Sequence, residues 1–391
     1  MHRTRKLAPA VLFSLAAVAT PSLTLAQSAS PAVFVTNNVG DSVSSFTVNP
    51  NGSLNFVAAF PSGDGPQTVS LSPNGRWLAV ANGTASTITE ELRVFEVNPD
   101  ATLTPRVTTT VPDSPLDVQW LSNSTLAVTH TSLSATNEAL TYNFNPGSNT
   151  VSLVDAKPTG SFTSRLATAR NGTLLYANNT GSGAGVNAFA VAPSGSMTPI
   201  EVEPAVLPVN LAATHNGKFL YTAGGIGGDG HRINGFIIEP SGALTPTAAG
   251  TYTSPGTSPK VVSLTGDDNF LIAGHGTDAT AQVFRVNPVT GDLTFTGFSF
   301  DVGDQGNLGD LQTLGNLLFI THSFSDGTGP TGLYSFTVNP DGSLTQNGPL
   351  VSTNGTRPEY IATWAGVPEP ASATILVVVT SAIGAMRRSR R

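Results

Sequence analysis

Three carboxylates and two cations stand at matching points of a repeated sequence. They are Asp117, Asp310 and Glu359, and Arg165 and Lys260. Each lies one or two residues after a proline, or after the residue in its place, at the head of a short strand-like stretch. Gln67, Thr68, Asn210 and Tyr360 occupy the same positions in other repeats. In such a ring a carboxylate can act as general base toward water, and a cation or amide can stabilise an oxyanion. A mixed ring also suits a polar ligand such as a sugar. None of these positions holds histidine, so no unperturbed side chain there titrates near pH 7.

Other chemistries find less support. The chain has no cysteine, which removes thiol nucleophiles, thiolate metal sites and disulfides. No Gly-x-Ser-x-Gly elbow opens a helix, and the GGIGGDG run from Gly224 has no helical pattern after it, so it reads as a loop. His130, His275 and His322 share a repeat position held elsewhere by Asn. Capping of turn backbone is therefore the simpler reading, and no metal site is expected. Asp301, Asp304, Asn307 and Asp310 crowd one loop whose oxygens could hold calcium. A solvated acidic loop is the simpler reading there too, and no cofactor is expected.

The elements that position the ring form a period. Ser335 to Asn347 reads SFTVNPDGSLTQN, an alternating strand, an Asn-Pro-Asp-Gly turn and a second strand. The shape occurs seven times, with turn prolines at 50, 99, 146, 193, 240, 288 and 340, spaced 47 to 52 apart. An aromatic stands four residues before each: Phe46, Phe95, Tyr142, Phe189, Phe236, Phe284 and Phe336. Between hairpins lie two more strands. One opens at the proline, as in PQTVSLSPNG from Pro66. The next is a short apolar run such as WLAVAN or FLYTAG. Four antiparallel strands per unit, apolar on both faces, predict an all-β, seven-bladed β-propeller. The first unit is split: Val33–Asn38 supplies its second strand, and the matching first strand is Pro358–Trp364 near the other end. Their pairing would close the ring and leave no free inner edge. The propeller is placed at 32–365, with 1–26 and 367–391 outside it. The longer loops 83–91, 131–138, 225–232 and 323–332 share the face of the proline-headed strand starts.

Pro, small apolar strand, S-P-N-G turn, apolar strand ending in Asn, then aromatic strand, N-P-D-G turn and Leu resembles the lactonase-type seven-bladed propellers, 6-phosphogluconolactonase-like proteins among them. The resemblance runs over roughly residues 32–365. It implies His and Arg at several ring positions in lactone-hydrolysing members. Here only Arg165 and Lys260 are basic, leaving Asp117, Asp310 or Glu359 as candidate base.

The two ends carry addresses. His2-Arg3-Thr4-Arg5-Lys6, an apolar run from Leu7 to Ala19 and small residues before Ala26 read as a secretory signal peptide. At the other end Pro368, Glu369 and Pro370 precede an apolar run, Ala373 to Met386, and then Arg387-Arg388-Ser389-Arg390-Arg391. This reads as a stop-transfer segment with its arginines cytoplasmic. It resembles the PEP-CTERM sorting tail of Gram-negative bacteria, which implies an exosortase as partner, a transient inner-membrane tail, and delivery to the cell surface or an exopolysaccharide matrix. Met1–Ala26 holds three Lys+Arg, and Val367–Arg391 holds four and Glu369. Without both, the body keeps 11 Lys+Arg against 24 Asp+Glu, a net −13. With no basic run, nucleic acid is not an expected partner. The expectation is an exported, monomeric propeller that binds or scaffolds a polar or carbohydrate ligand, with a lactonase-like hydrolase as the alternative.

Overall fold

The computed structural model describes residues 30–366, apart from 84–89, 112–113, 132–136, 182–183, 225–230, 304–306 and 324–330. The segments read from sequence as a signal peptide and a sorting tail, Pro368 to Pro370 included, lie outside the described residues. Within them there is no helix, and the strands form seven four-stranded antiparallel sheets arranged as a β-propeller. Blades 2 to 7 start at Pro66, Ser114, Leu166, Pro208, Pro259 and Asn307 and run outward in chain order. Blade 1 takes its innermost strand, Pro358–Trp364, from the end of the chain and its other three, Ala32–Asn37, Ser42–Val48 and Leu54–Pro61, from the beginning. The closing register sets Val33 against Thr363, Phe34 against Ala362 and Val35 against Ile361.

Burial explains why the second strands read as apolar runs. In blades 1, 2, 4, 5 and 6 every residue of that strand is buried. A strand with a blade on either side has no solvent face, so alternation disappears. The outer strands do meet solvent: Met197–Pro204 and Leu54–Pro61 mix exposed and half-buried residues. The described core divides into seven clusters, each spanning two neighbouring blades. The cluster between blades 7 and 1 joins Phe319 and Leu333 to Val33, Val35, Phe46 and Ile361. The seven repeat aromatics are all buried.

Hydroxyls tie five of the seven hairpin turns to the preceding blade. Ser45 Oγ donates to Ala101 O (2.5 Å), Thr141 Oγ1 to Gly195 O (2.7 Å), Tyr176 OH to Gly242 O (2.9 Å), Tyr221 OH to Gly291 O (2.7 Å) and Ser335 Oγ to Gly52 O (2.6 Å). The turn position is left-handed: Gly52 has φ 80°, where a Cβ would meet the Asn347 amide at 2.4 Å, and blade 2 places Ala101 there at φ 64°.

Candidate functional site

The innermost strands carry a register slip at their heads. Pairing with the second strand skips a residue between Pro66 and Thr68, Pro115 and Asp117, Pro208 and Asn210, and Pro259 and Val261. Proline has no N–H for the ladder, so a bulge is tolerated there. The slip splits the expected ring in two. The second residue after the proline, or after Thr163 and Leu308 in its place, faces the central channel: Thr68, Asp117, Arg165, Asn210, Asp310 and Tyr360 line one narrow cavity of about 60 Å3. The first residue bonds elsewhere. Gln67 Nε2 donates to Gly83 O (2.8 Å), Lys260 Nζ to Leu308 O (3.2 Å), and Glu359 Oε1 accepts from Arg357 Nε (2.7 Å).

The channel residues also bridge blades. Thr68 Oγ1 accepts from Val118 N (3.1 Å), Asp117 Oδ2 from Leu166 N (2.7 Å), Asn210 Oδ1 from Val262 N (3.1 Å) and Asp310 Oδ2 from Ile361 N (2.9 Å). Each acceptor takes an amide of the next innermost strand. Arg165 departs from the pattern and reaches across. Its Nη1 donates to Leu116 O (2.6 Å) and Ser164 O (3.0 Å), and its Nη2 donates to the Tyr360 hydroxyl. The guanidinium also lies over the Tyr360 ring, 4.4 Å from its centroid.

Electrostatics give these groups their chemistry. Asp117 and Asp310 are 3% and 4% exposed. Burial lifts Asp117 to about 6, against the pull of Arg165 and the Leu166 and Val118 amides. Burial lifts Asp310 further, to about 7, against the Ile361 amide, Arg165 and Lys260. The absence of histidine is thus offset: desolvation turns carboxyls into groups that titrate near neutrality. Burial works against the charge of Arg165, but Tyr360, Asp117, Asp310 and Glu359 around it hold it firmly protonated. Burial lowers Lys260, with Glu359 and Asp310 resisting.

The remaining sequence candidates do not converge. Asp301 is exposed and its Oδ1 accepts from Gly303 N (2.8 Å), whereas Asp310 is buried in the channel. Asp304 and the Asn307 side chain lie outside the described residues. His130 Nε2 faces Glu138 Oε2 (3.3 Å). His275 Nδ1 sits 3.0 Å from Thr280 O, so it carries the proton, and Nε2 accepts from Ser254 Oγ (2.7 Å). Burial lowers the His275 pKa. Among the described residues no three His, Asp or Glu side chains gather as a metal cluster. The long loops named from sequence fall largely outside the described residues.

Four contributors were missed. Gln119 and Gln312 line the channel two residues beyond Asp117 and Asp310, where period-two alternation puts them on the same face. Thr321 accepts from Asp310 N (2.7 Å) and donates to Glu359 O (2.7 Å), and Thr36 accepts from Tyr360 N (3.0 Å). No pattern marks either threonine beforehand, because each acts across a register slip.

Comparison with known proteins agrees with this architecture. The sequence profile of the family described as "Lactonase, 7-bladed beta-propeller" matches residues 22–120 and 210–308. No curated protein sequence matches the chain. Among solved structures, the periplasmic gluconolactonase of Pseudomonas aeruginosa superimposes with a TM-score of 0.67 at 17% identity, over 85% of this chain and 98% of that one. A putative 6-phosphogluconolactonase from Bacteroides uniformis gives 0.69 at 16%, over 86% and 100%. Another, from Bacteroides fragilis, gives 0.68 at 16%, over 88% and 100%. At such identities these structures share the fold.

Proposed function

The chain belongs to the lactonase seven-bladed β-propeller family, and from that premise we propose that it hydrolyses a neutral sugar lactone at the channel mouth, with Asp310 as general base. The observation that carries this is a buried carboxyl lifted to about 7 in the same channel as the Arg165 guanidinium. Asp310 suits the role better than Asp117, which already accepts from Val118 N, Leu166 N and Thr68 and titrates lower. The ionised Asp310 takes a proton from water as the water oxygen bonds to the lactone carbonyl carbon. Arg165, held by Tyr360, faces the oxyanion that forms. The ring C–O bond then breaks, the ring oxygen leaves as a hydroxyl with the proton, and a hydroxy acid results. A cavity of about 60 Å3 holds only a few waters, so the sugar ring stays above it with its carbonyl turned inward.

The net charge of the body, −13, argues for a neutral lactone over a phosphorylated one. Export through the signal peptide, exosortase removal of the tail and work as a monomer at the cell surface or matrix complete the proposal. A second reading, the binding or scaffold module favoured by the missing His/Arg set and the sorting tail, draws on one observation: Asp117 and Asp310 each hold an amide of the next blade. The test is lactone disappearance against the spontaneous rate for δ-aldonolactones with and without a phosphate. Turnover at a kcat/KM near ~10⁴ M⁻¹s⁻¹, faster for the neutral compound, supports hydrolysis. No acceleration leaves the scaffold reading in its place.

A further inference from the structure

On the face opposite the channel mouth, the turns between first and second strands interlock around the ring. Asn74 N donates to Asn123 Oδ1 (2.9 Å), His215 N to Asp268 Oδ1 (2.8 Å) and Gly266 N to Gly315 O (2.8 Å), each joining one blade's turn to the next. Gly172 packs so tightly on the blade 3 turn that a Cβ there would meet Leu121 O at 1.9 Å. Blade 1 breaks this pattern. Its first and second strands, Pro358–Trp364 and Ala32–Asn37, come from opposite ends of the described chain, so no turn joins them. On its blade 2 side Trp364 takes up the space, since a Cβ on Gly75 would meet its Nε1 at 1.9 Å. On its blade 7 side the gap widens instead. Blade 7 joins Leu314 to Leu317 through Gly315 and Asn316 alone, where blades 2, 5 and 6 use 72–76, 214–218 and 265–269. A short turn beside a missing one leaves a cavity of about 420 Å3.

The cavity is largely apolar and lies where the described chain begins and ends. Its walls include Pro31, Val48, Pro50, Leu314, Leu317 and Ala365. Leu314 and Leu317 are half-buried and Pro50 and Ala365 are exposed, so an occupant would take apolar surface out of water. Ala365 is followed by Gly366, whose φ of 78° redirects the chain, and then by Val367 and Pro368. With successive Cα atoms about 3.8 Å apart, Val367 stands within about 8 Å of Ala365 and Pro368 within about 11 Å. Both are apolar, and Pro368 has no N–H to leave unpaired on burial. The chain on the other side, Gln27-Ser28-Ala29 before Ser30, offers mainly polar groups.

We propose that Val367 and Pro368 dock in this cavity and complete the ring of turns between blades 7 and 1. The segment takes the part that a longer turn plays at the other seams. Docking also fixes where the rest of the chain departs. The closing strand runs from the channel mouth, at Tyr360, to this opposite face, so Glu369 and the apolar run from Ala373 leave on the side away from the mouth. The inference does not depend on what the channel binds or hydrolyses.

Thiol accessibility in the full-length protein, held in detergent, tests it, because the chain has no cysteine of its own. Val367→Cys keeps a small apolar side chain and should react with iodoacetamide at least about tenfold more slowly than Ala371→Cys, given what burying one such side chain is worth. Ala371 is the nearer of the two to the apolar run, so shielding by detergent would give the reverse order. Leu314→Ser, in the cavity wall, should restore the rate. Pro368→Asp, which alters no residue of the propeller, should restore it too, and decides the matter if Leu314→Ser lowers Tm. Ser28→Cys should react freely. Val367→Cys reacting as fast as Ala371→Cys, a slow rate that Pro368→Asp leaves unchanged, or protection of Ser28→Cys in its place would overturn the assignment. So would protection that grows with protein concentration, the mark of a second copy in the cavity.

Discussion

Replacing Asp310 by Asn should make the propeller more stable at pH 8 while ending its reaction. The carboxyl is 4% exposed, and burial lifts it from 3.8 to about 7 in spite of the Ile361 amide and Arg165. A folded pKa above the unfolded one means that the folded state holds the proton more tightly. The stability contributed by the neutral carboxyl is complete below about pH 4 and is lost as pH rises through about 7. At 1.36 kcal/mol per pKa unit, the ionised Asp310 costs about 4 kcal/mol at pH 8. Asn offers the same oxygen to Ile361 N with no charge. With an unfolding entropy of roughly 2.1 cal/mol/K per residue over roughly 340 residues, that cost corresponds to about 6 °C. Thermal unfolding followed by circular dichroism at pH 8 should therefore place Asp310→Asn about 6 °C above wild type, and close to it at pH 4. A variant that melts below wild type at pH 8 would mean that the carboxylate is a stabilising ion, and the reasoning from burial would fail.

Three further outcomes follow from the same structure. Ile361→Ala, in the closing strand and 4% exposed, should cost about 2–5 kcal/mol, whereas Val202→Ala on an outer strand should stay within about 0.5 kcal/mol; denaturant titration compares them, and equal values would argue against closure through Pro358–Trp364. Arg165→Met should lower kcat by about 10²-fold or more with a smaller change in KM, if the guanidinium acts on the oxyanion; a change in KM alone would assign it to binding. Intact-mass measurement of protein recovered outside the cell should find both Met1–Ala26 and the apolar tail missing, and a mass extending to Arg391 would exclude sorting by tail removal.

Much of the fold was legible because the repeat reports it seven times over. The prolines gave the blade count, the unalternating runs gave strands buried on both faces, and the split unit at Val33 and Pro358 gave closure. The site was legible only to within a residue. Gln67, Lys260 and Glu359 look equivalent to Thr68, Asp117 and Asp310 along the chain, and only the slip after the proline separates them. The chemistry was least legible. An aspartate in sequence suggests a pKa near 4, and nothing local announces that Asp310 will be enclosed by blades 7 and 1 some 50 residues apart. The hydroxyls that hold hairpin turns of the next blade, such as Tyr176 and Tyr221, likewise read as ordinary strand residues until that blade is in place.

The most direct test of the account is the pH dependence of kcat/KM for a δ-aldonolactone, corrected for spontaneous hydrolysis, in wild type and Asp310→Asn. A base must be ionised to act, so wild-type activity should rise with pH through about 7 to a plateau, and the variant should lose it across the whole range. Wild type no faster than buffer, or Asp310→Asn retaining the activity with its pH profile intact, would contradict the account.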